Sequence, residues 1–259
     1  MLVLLPPSET KRDGGVESSR LNLRLLGYPR LRAARVAALS ATKDLSADVA
    51  AMSAAMKLSP AQHFEVLRNR RIRSSPVMPA LDRYTGVLYD ALDASTLGSR
   101  AREFAGRTVV IHSALFGLIR ALDPIPAYRV SHDSRLPGIR LRAHWSEAIS
   151  RELADHAGLV LDLRSEAYAH LGPVPDGAYF LRVVSIGPDG RARALNHFNK
   201  KGKGEFVRAL LDAAIDHDSV ESLLDWASAT GVRLVRGAPG ELELTVDAIV
   251  AGVRRASQA

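Results

Sequence analysis

The 259-residue sequence contains no cysteine. This absence excludes disulfides, thiolate metal sites and cysteine nucleophiles, and it favours a cytoplasmic location. Long apolar runs are also missing. The first run ends at Pro6, lacks the basic region of a signal peptide, and no window approaches the roughly 20 apolar residues that span a bilayer. The sequence therefore predicts a soluble cytoplasmic protein with no membrane partner.

Common nucleotide-binding and metal-binding patterns are absent as well. Neither GxxxxGK[ST] nor GxGxxG occurs, which disfavours the usual nucleotide folds. The eight histidines are scattered and form no HxxxH or HxH pair, so we predict no metal site and no cofactor. Ser113 follows a predicted strand but lacks the GxSxG pattern of a nucleophile, and its predicted role is to cap a helix.

Positive charge is what the sequence has in excess. Lys and Arg number 35 against 28 Asp and Glu, which gives a formal net charge of +7 and a sequence pI near 10.0. This balance favours polyanionic partners, nucleic acid first, although arginine-rich usage also reflects GC-rich genomes. The 47% hydrophobic content supports a sizeable buried core.

Short apolar and β-branched runs alternate with helical patterns, as in an α/β protein. Residues 113–120 are predicted to form a helix that ends before Pro124, because proline disfavours helix at the residue before it. Another helix is expected at 143–156. The predicted strands cover residues 2–5, 108–111 and 159–163, a hairpin of 179–186 with 192–197 around a turn at 187–190, and a final pair at 232–235 and 241–246.

Helical spacing dominates residues 30–75. Residues 31–41 and 47–56 are alanine-rich, and Ser59-Pro60 has the form of an N-cap followed by proline at the first helical position. No linker is long enough to divide the chain. We therefore predict one mixed α/β (α+β) domain over residues 1–259, with a central β-sheet, flanking helices and a helical insertion around 30–75. The tail from residue 254 is small and polar, and is expected to fray.

The run NHFNKKGKG at 196–204 places three lysines and two glycines together before the amphipathic run 205–214. A glycine-bent loop with lysine ammoniums and a helix N-terminus just downstream would bind anions such as phosphates. A solvated basic loop is the structural alternative.

Three further polar clusters follow predicted turns or strands. Tyr84 and Thr85 follow an arginine-rich segment, where aromatics can stack bases, or a tyrosine can simply pack in a turn. Arg120 lies near Tyr128 and Arg129, and Asp162, Ser165 and Tyr168 follow the strand at 159–163. Because α/β proteins concentrate function at strand ends, we expect these clusters to converge with the lysines.

The order and spacing of these blocks resemble the bacterial YaaA proteins, which are associated with peroxide stress. The matching blocks are YTG at 84–86, SALFGLIRALD at 113–123 with PAYR at 126–129, HW at 144–145, LDLRSEAY at 161–168 and FNKKGKG at 198–204. The resemblance implies a single-domain α/β fold with a helix-hairpin-helix-like element and a positively charged cleft. It also implies DNA binding that limits oxidative damage when iron and peroxide meet.

The sequence departs from that family in three places. Many members carry a Ser-Pro-x-Lys-like pattern behind the first strand, whereas here Glu9 follows Ser8 and the lysine is delayed to Lys11. Lys203 stands where arginine is frequent, which keeps the charge but loses bidentate geometry. The helix-hairpin-helix would fall at 47–73, where Pro60 in the turn removes one amide that could grip phosphate.

Two functions remain open from the sequence. One is binding of DNA without strong base readout, and the other is an enzyme acting on a small phosphorylated or nucleotide-like ligand in the same cleft, with Asp162 or Tyr168 as the proton-transfer candidate. Iron sequestration is disfavoured by the scattered histidines and absent cysteines. The candidate DNA- or phosphate-binding residues are Ser8, Lys11, Tyr84, Thr85, Arg120, Tyr128, Arg129, Ser165, Lys200, Lys201 and Lys203.

Overall fold

A computed structural model describes residues 1–186, 192–194 and 196–246. Its strands are β1 (Leu2–Leu5), β2 (Met78–Pro79), β3 (Val109–Ser113), β4 (Gly117–Arg120), β5 (Pro124–Ile125), β6 (Val160–Asp162), β7 (Tyr179–Ile186), β8 (Ala192–Ala194), β9 (Leu234–Arg236) and β10 (Glu241–Thr245). Within these residues, eight strands form one mixed sheet in the order β4-β3-β1-β6-β7-β10-β9, with β8 also paired to β7. The predicted mixed α/β fold with a central sheet is confirmed.

The strand β1 lies in the middle of the sheet and runs parallel to both of its neighbours, β3 and β6. β7 continues the parallel set beside β6. All residues of β1 and β3 are buried, which fits the continuous apolar runs of parallel strands covered on both faces. The chain leaves β1 toward β3 on one side and reaches β6 on the other, and ligands of open α/β sheets bind at such a crossover, beyond the carboxyl ends of the strands.

The helices are α1 (Arg32–Leu45), α2 (Val49–Met56), α3 (Phe64–Arg70), α4 (Ala80–Arg83), α5 (Val87–Leu92), α6 (Ser99–Thr108), α7 (Leu141–Ala154), α8 (Glu166–Ala169), α9 (Asn196–Ala213) and α10 (Val220–Thr230). Local signals define several of their ends. The Asp48 carboxylate accepts a hydrogen bond from the Ala51 amide at the start of α2, and Gly231 ends α10 with a left-handed φ of 77°. Among the helices of the described ranges, none combines the length and apolar character required to cross a membrane.

The helical prediction for residues 30–75 is confirmed by α1, α2 and α3. Ser59 caps the short 3₁₀ helix Pro60–Gln62, as its sequence context predicts, through a reciprocal capping box with the Gln62 side chain. Lys57 ends α2 in the left-handed region with a φ of 53°. It stays a prediction that this segment is an insertion and that α2 and α3 act as a helix-hairpin-helix.

The helix predicted for residues 113–120 is wrong. β3 and β4 form an antiparallel hairpin there, with Ser113 opposite Gly117. The Ser113 hydroxyl accepts hydrogen bonds from the amides of Leu115 and Phe116, so it caps the hairpin turn instead of a helix. Buried Arg35 donates to the carbonyl oxygens of Phe116 (2.8 Å) and Leu118 (2.6 Å). These long-range contacts outweigh the weak helical preference of an apolar run.

The predicted basic loop at 196–204 is also wrong, because this segment forms the first half of α9. Its glycines allow close packing instead of bending the chain. A Cβ atom at Gly204 would collide with the Leu88 carbonyl oxygen on α5, and one at Gly202 would lie 2.7 Å from Cγ1 of Val246. The preceding strand ends at Ala194, three residues earlier than predicted.

The remaining predicted strand pairs are confirmed. β7 pairs with β8 as an antiparallel hairpin, and β9 pairs with β10 in the same way. The helix α7 covers most of the predicted residues 143–156. The turn predicted at 187–190 and the tail predicted to fray from residue 254 lie outside the described residues.

Candidate functional site

A cavity of about 520 Å³ lies at the carboxyl ends of β1 and β6. This volume is in the range of small-molecule sites. The loop after β1, the start of α5, the segment after β6 and the first half of α9 supply most of the wall. The lining residues are Pro6, Pro7, Ser8, Glu9, Thr10, Thr85, Gly86, Val87, Leu88, Tyr89, His132, Leu163, Ser165, Tyr168, Asn199, Lys200 and Lys203.

Two of the three predicted lysines line this cavity. Lys200 and Lys203 are three residues apart on α9 and therefore share one face of the helix. The Lys201 side chain lies outside the cavity lining, is 60% exposed, and pairs with Glu205 at 3.4 Å. The helical conformation of the segment thus separates Lys201 from its two neighbours.

Hydroxyl groups complete the polar part of the wall. Ser8, Thr85 and Ser165, all predicted as ligand residues, line the cavity together with the lysines. They come from three separate segments, which the sheet and α5 bring to one place. Ammonium and hydroxyl donors of this kind bind phosphate oxygens.

The Lys203 amine is almost fully buried, with 5% of the residue exposed. It donates hydrogen bonds to the carbonyl oxygens of Leu163 at 3.1 Å and Arg164 at 3.4 Å. Burial lowers the pKa of Lys203 to about 8, against the opposing effect of the Asp162 carboxylate. The Phe180 ring lies 5.2 Å from Nζ. About a tenth of this amine is therefore neutral at pH 7, and about half at pH 8.

Lys11 is buried behind the cavity wall and is not part of the lining. Its Nζ donates to the carbonyl oxygens of Ser8 (2.8 Å) and Glu9 (3.2 Å) and lies 4.2 Å from the centre of the Tyr128 ring. Burial lowers the pKa of Lys11 to about 7, although the Glu65 carboxylate acts in the opposite direction. Lys11 holds the loop that carries Ser8 in place.

Two predicted tyrosines form a buried hydrogen-bonded chain with Ser113. The hydroxyls of Tyr84 and Tyr128 are 2.7 Å apart, and the Tyr128 hydroxyl is 2.6 Å from the Ser113 hydroxyl. Burial raises the pKa of Tyr84 well above its usual value and that of Tyr128 to about 12. Neither residue lines the cavity. Their neutral hydroxyls join β3 to the segment that precedes α5.

Asp162 is placed in a buried ion pair rather than in the cavity. Its two carboxylate oxygens accept from Arg164 Nε (2.8 Å) and Nη2 (2.7 Å), and it is 1% exposed. Arg164 Nη1 lies 2.8 Å from Nδ1 of His112. Burial, followed by the Arg164 charge, lowers the pKa of His112 well below its usual value. Through Arg164, Asp162 therefore fixes the position of the segment after β6.

Tyr168 is the proton-transfer candidate that reaches the cavity. Its ring packs edge-on against His112 at 5.6 Å and against His132 at 5.4 Å. Burial raises the pKa of Tyr168 well above its usual value, with the Tyr128 hydroxyl adding to the shift. Its hydroxyl therefore stays protonated at neutral pH and can donate a hydrogen bond to a ligand.

The two predicted arginines lie outside the cavity lining. Arg129 is buried and donates to the Glu9 carboxylate at 2.7 Å, so it positions the loop after β1. Arg120 is exposed at the end of β4, with its guanidinium 5.5 Å from the Tyr28 ring.

Sequence reasoning missed several lining residues. Asn199 stands beside Lys200 in the same basic block, and this proximity was the available signal. No signal in the sequence indicated His132, because it reaches the cavity from a loop that lies far from the other lining residues along the chain. Within the described ranges, no three His, Asp or Glu side chains gather in a way that could hold a metal ion.

Comparison with known proteins adds a family context. The family model described as "Peroxide stress protein YaaA" matches residues 1–233. A UPF0246 protein of Corynebacterium glutamicum is 42% identical over 239 residues, covering 90% of this chain and 94% of the relative. One from Corynebacterium efficiens is 41% identical over the same length and the same shares. A UPF0246 protein of Streptomyces coelicolor is 37% identical over 246 residues, which are 93% of this chain and 94% of the relative.

Proposed function

This chain belongs to the YaaA family of peroxide stress proteins, and we propose that it is a cytoplasmic DNA-binding protein that limits iron-dependent oxidative damage. Lys200, an exposed lysine of the cavity, would hold a phosphate of the DNA backbone. Hydroxyls of Ser8 and Ser165 would donate to the same oxygens.

The observation that carries this proposal is the donor set of the cavity. Lys200 and Lys203 lie on one helix face beside three hydroxyl groups, in a chain whose formal net charge is +7. Such donors recognise phosphate and carry no information about base sequence. The expected binding is therefore independent of sequence and falls steeply as salt concentration rises.

Arginines at the end of α3 support a wider contact with DNA. Arg70, Arg71 and Arg73 are exposed. Arg70 donates to the carbonyl oxygens of Ser46 and Ala47. Because both of these partners are uncharged, the contacts do not neutralise the positive charge of Arg70. This positive surface lies in the segment for which a helix-hairpin-helix was predicted, and it would add phosphate contacts outside the cavity.

The proposed protection against iron is indirect. A bound protein that neutralises phosphates releases the cations condensed on DNA, and ferrous ions belong to that population. Fewer ferrous ions at the duplex would mean fewer sites where peroxide reacts next to a sugar. This mechanism needs no metal site in the protein.

Substitution of Lys200 by alanine tests the phosphate contact. We expect duplex affinity to fall about two- to tenfold at low salt, and the slope of log K against log salt to decrease in magnitude by about 1. Fluorescence anisotropy with an undamaged duplex at several salt concentrations measures both quantities.

The matched control is Lys43→Ala, which removes the same charge from an exposed position of α1 outside the cavity. It should leave the slope close to that of the unsubstituted chain. Affinity that does not depend on ionic strength, or no binding at low salt, would rule out the proposal.

A second candidate function is an enzyme acting on a small phosphorylated or nucleotide-like ligand. The volume of about 520 Å³ favours it, because a cavity of this size encloses a small molecule. A thermal-shift screen of sugar phosphates and nucleotides tests it, since a ligand that binds the folded state must raise the melting temperature. Absence of any stabilising phosphate compound would contradict this candidate.

A further inference from the structure

We infer that the Lys203 amine is a nucleophile that forms a Schiff base with the aldehyde of an open-chain sugar phosphate held in the cavity. The inference rests on the proposed affinity of the cavity for phosphate, which either candidate function requires. It adds a covalent step and a specific ligand class. Free sugar phosphates and abasic sites in DNA share this chemistry, because both present an aldehyde close to a phosphate.

The hydrogen bonds of Lys203 hold its amine in a suitable arrangement. A neutral amine has two N–H bonds and one lone pair. The carbonyl oxygens of Leu163 and Arg164, at 3.1 and 3.4 Å, can accept both N–H bonds. The lone pair then has no protein donor among these contacts and is available to an electrophile in the cavity that Lys203 lines.

Lys11 provides a contrast that identifies Lys203 as the reactive amine. Within the described residues, both lysines are buried and have a lowered pKa. Nζ of Lys11 lies 4.2 Å from the centre of the Tyr128 ring and 5.3 Å from that of the Tyr84 ring, and Lys11 is not part of the cavity lining. Lys203 also lies near one ring, with Nζ 5.2 Å from the centre of Phe180, but unlike Lys11 it lines the cavity.

The rest of the cavity would orient the ligand. Lys200 and the hydroxyls of Ser8 and Ser165 would bind the phosphate, and the protonated hydroxyl of Tyr168 could donate to a sugar oxygen. The volume of about 520 Å³ exceeds what a pentose phosphate occupies, so the ligand can place its aldehyde carbon beside Nζ without displacing the wall.

The covalent step is a condensation. The Lys203 nitrogen attacks the aldehyde carbon, and one amine proton moves to the former carbonyl oxygen to give a carbinolamine. Loss of that hydroxyl group together with the second amine proton releases one water and leaves a C=N bond. No oxidant or reductant is consumed, and the bond hydrolyses back to the same amine and aldehyde.

Borohydride trapping with 2-deoxyribose 5-phosphate tests the inference. Borohydride donates a hydride to the imine and converts it into a stable secondary amine, so the adduct can be located by peptide mass mapping in the unsubstituted chain. We expect the adduct at Lys203. Mapping to Lys200 or to the amino terminus, with Lys203 unmodified, would overturn the inference.

Two substitutions on the same helix sharpen this test. Lys203→Arg keeps the positive charge but removes the neutral amine, so adduct yield should fall by about tenfold or more. Lys201→Arg makes the same change at an exposed position outside the cavity and should trap as well as the unsubstituted chain. Equal yields from both variants would count against Lys203.

The pH dependence of trapping gives a second measurement. Asp162 and Glu166 favour the Lys203 ammonium, whereas burial and the Arg182 charge oppose it, and the resulting pKa is about 8. The initial rate of adduct formation, with samples quenched at fixed times by excess borohydride, should therefore rise about tenfold between pH 7 and pH 9 and then level off. A rate that keeps rising through pH 10 would indicate an ordinary exposed lysine.

A duplex carrying one abasic site identifies the source of the aldehyde. Adduct formation with this duplex supports DNA damage as the source, and formation with the sugar phosphate alone supports a free metabolite. An undamaged duplex separates this inference from the proposed function. Binding to undamaged DNA, together with no adduct at Lys203 from either the sugar phosphate or the abasic duplex, overturns the Schiff base alone. An adduct without binding to undamaged DNA overturns the DNA-binding proposal alone.

Discussion

At the scale of single residues, Lys11 shows how burial of an amine makes the free energy of unfolding depend on pH. Its pKa is about 7 in the folded protein and 10.5 in its ordinary state. Below pH 7 both folded and unfolded chains carry the proton, and the folded state bears the full cost of burying a charge. Between about pH 7 and pH 10.5 only the unfolded chain keeps the proton, so the free energy of unfolding rises with pH.

Substitution of Lys11 by methionine tests this linkage. The free energy of unfolding of the unsubstituted chain, minus that of the variant, should increase by about 2 kcal/mol between pH 7 and pH 9. Urea denaturation at the two pH values measures it. Lys43→Met, at an exposed position, controls for loss of a positive charge as such. An unchanged difference at both pH values would show that Lys11 is not buried as an amine.

The sequence predicted that the lysines bind phosphate, but it did not predict which of their side chains share one face. The prediction treated Lys200, Lys201 and Lys203 as phosphate-binding lysines of one basic loop. In a helix, successive side chains point about 100° apart, so Lys200 and Lys203 share a face that Lys201 does not. Two glycines in five residues suggested a loop, because the contact that requires them is made with another part of the chain.

At the scale of elements, the packing of α5 against α9 forms one side of the cavity. Gly204 allows the backbones of these helices to approach closely, because it places no Cβ atom against the Leu88 carbonyl oxygen. A Cβ atom there would also lie 2.9 Å from Cβ of Ala91. The contact thus positions the residues of α5 and α9 that line the cavity.

Substitution of Gly204 by alanine should destabilise the protein by about 1 to 3 kcal/mol, because the added methyl group must push the helices apart. Thermal or urea denaturation measures the change. The comparison variant is Gly98→Ala, where a Cβ atom would meet nothing within 4 Å, and its cost should stay within about 1 kcal/mol. Equal costs for the two variants would contradict the packing role.

Most strands could be predicted because a short β-branched or apolar run needs little context. β1, β6 and the β9–β10 pair follow such runs. The β3–β4 hairpin could not be predicted in the same way. Its second strand is specified by contacts from Arg35, more than eighty residues away along the chain, and by the Ser113 turn.

At the scale of the whole molecule, the central strands should be the most stable part. β1 lies between β3 and β6, and all of its residues are buried. β9 lies at the end of the sheet and has two exposed residues of three. Local opening therefore exposes β9 long before it exposes β1.

Native-state hydrogen exchange measures this difference. The amides of β1 should exchange about a hundredfold or more slowly than those of β9, since only near-global unfolding releases them. The other central strand, β3, should behave like β1. Similar exchange rates in β1 and β9 would contradict the sheet order described above.

The fold class followed from the alternation of strand and helix patterns. The expectation that strand ends converge brought six candidates to the cavity lining, namely Ser8, Thr85, Ser165, Tyr168, Lys200 and Lys203, but most lining residues were not among the candidates. The order of strands could not be predicted, because a parallel sheet is specified by crossovers between distant segments. Arg120 shows the limit of strand-end reasoning. It ends β4, the edge strand that runs antiparallel to β3, so it lies level with Leu4 but two strands away from β1 and outside the cavity lining.

The close approach of Gly204 to α5 fixes the width of the cavity on this side. Its spacing is set by one backbone against another, and backbones do not switch rotamers as side chains do. The cavity would therefore exclude a molecule whose cross-section is too large, whatever its charge. A base-paired duplex would stay at the mouth of the cavity, where the exposed Lys200 can reach a phosphate of its backbone.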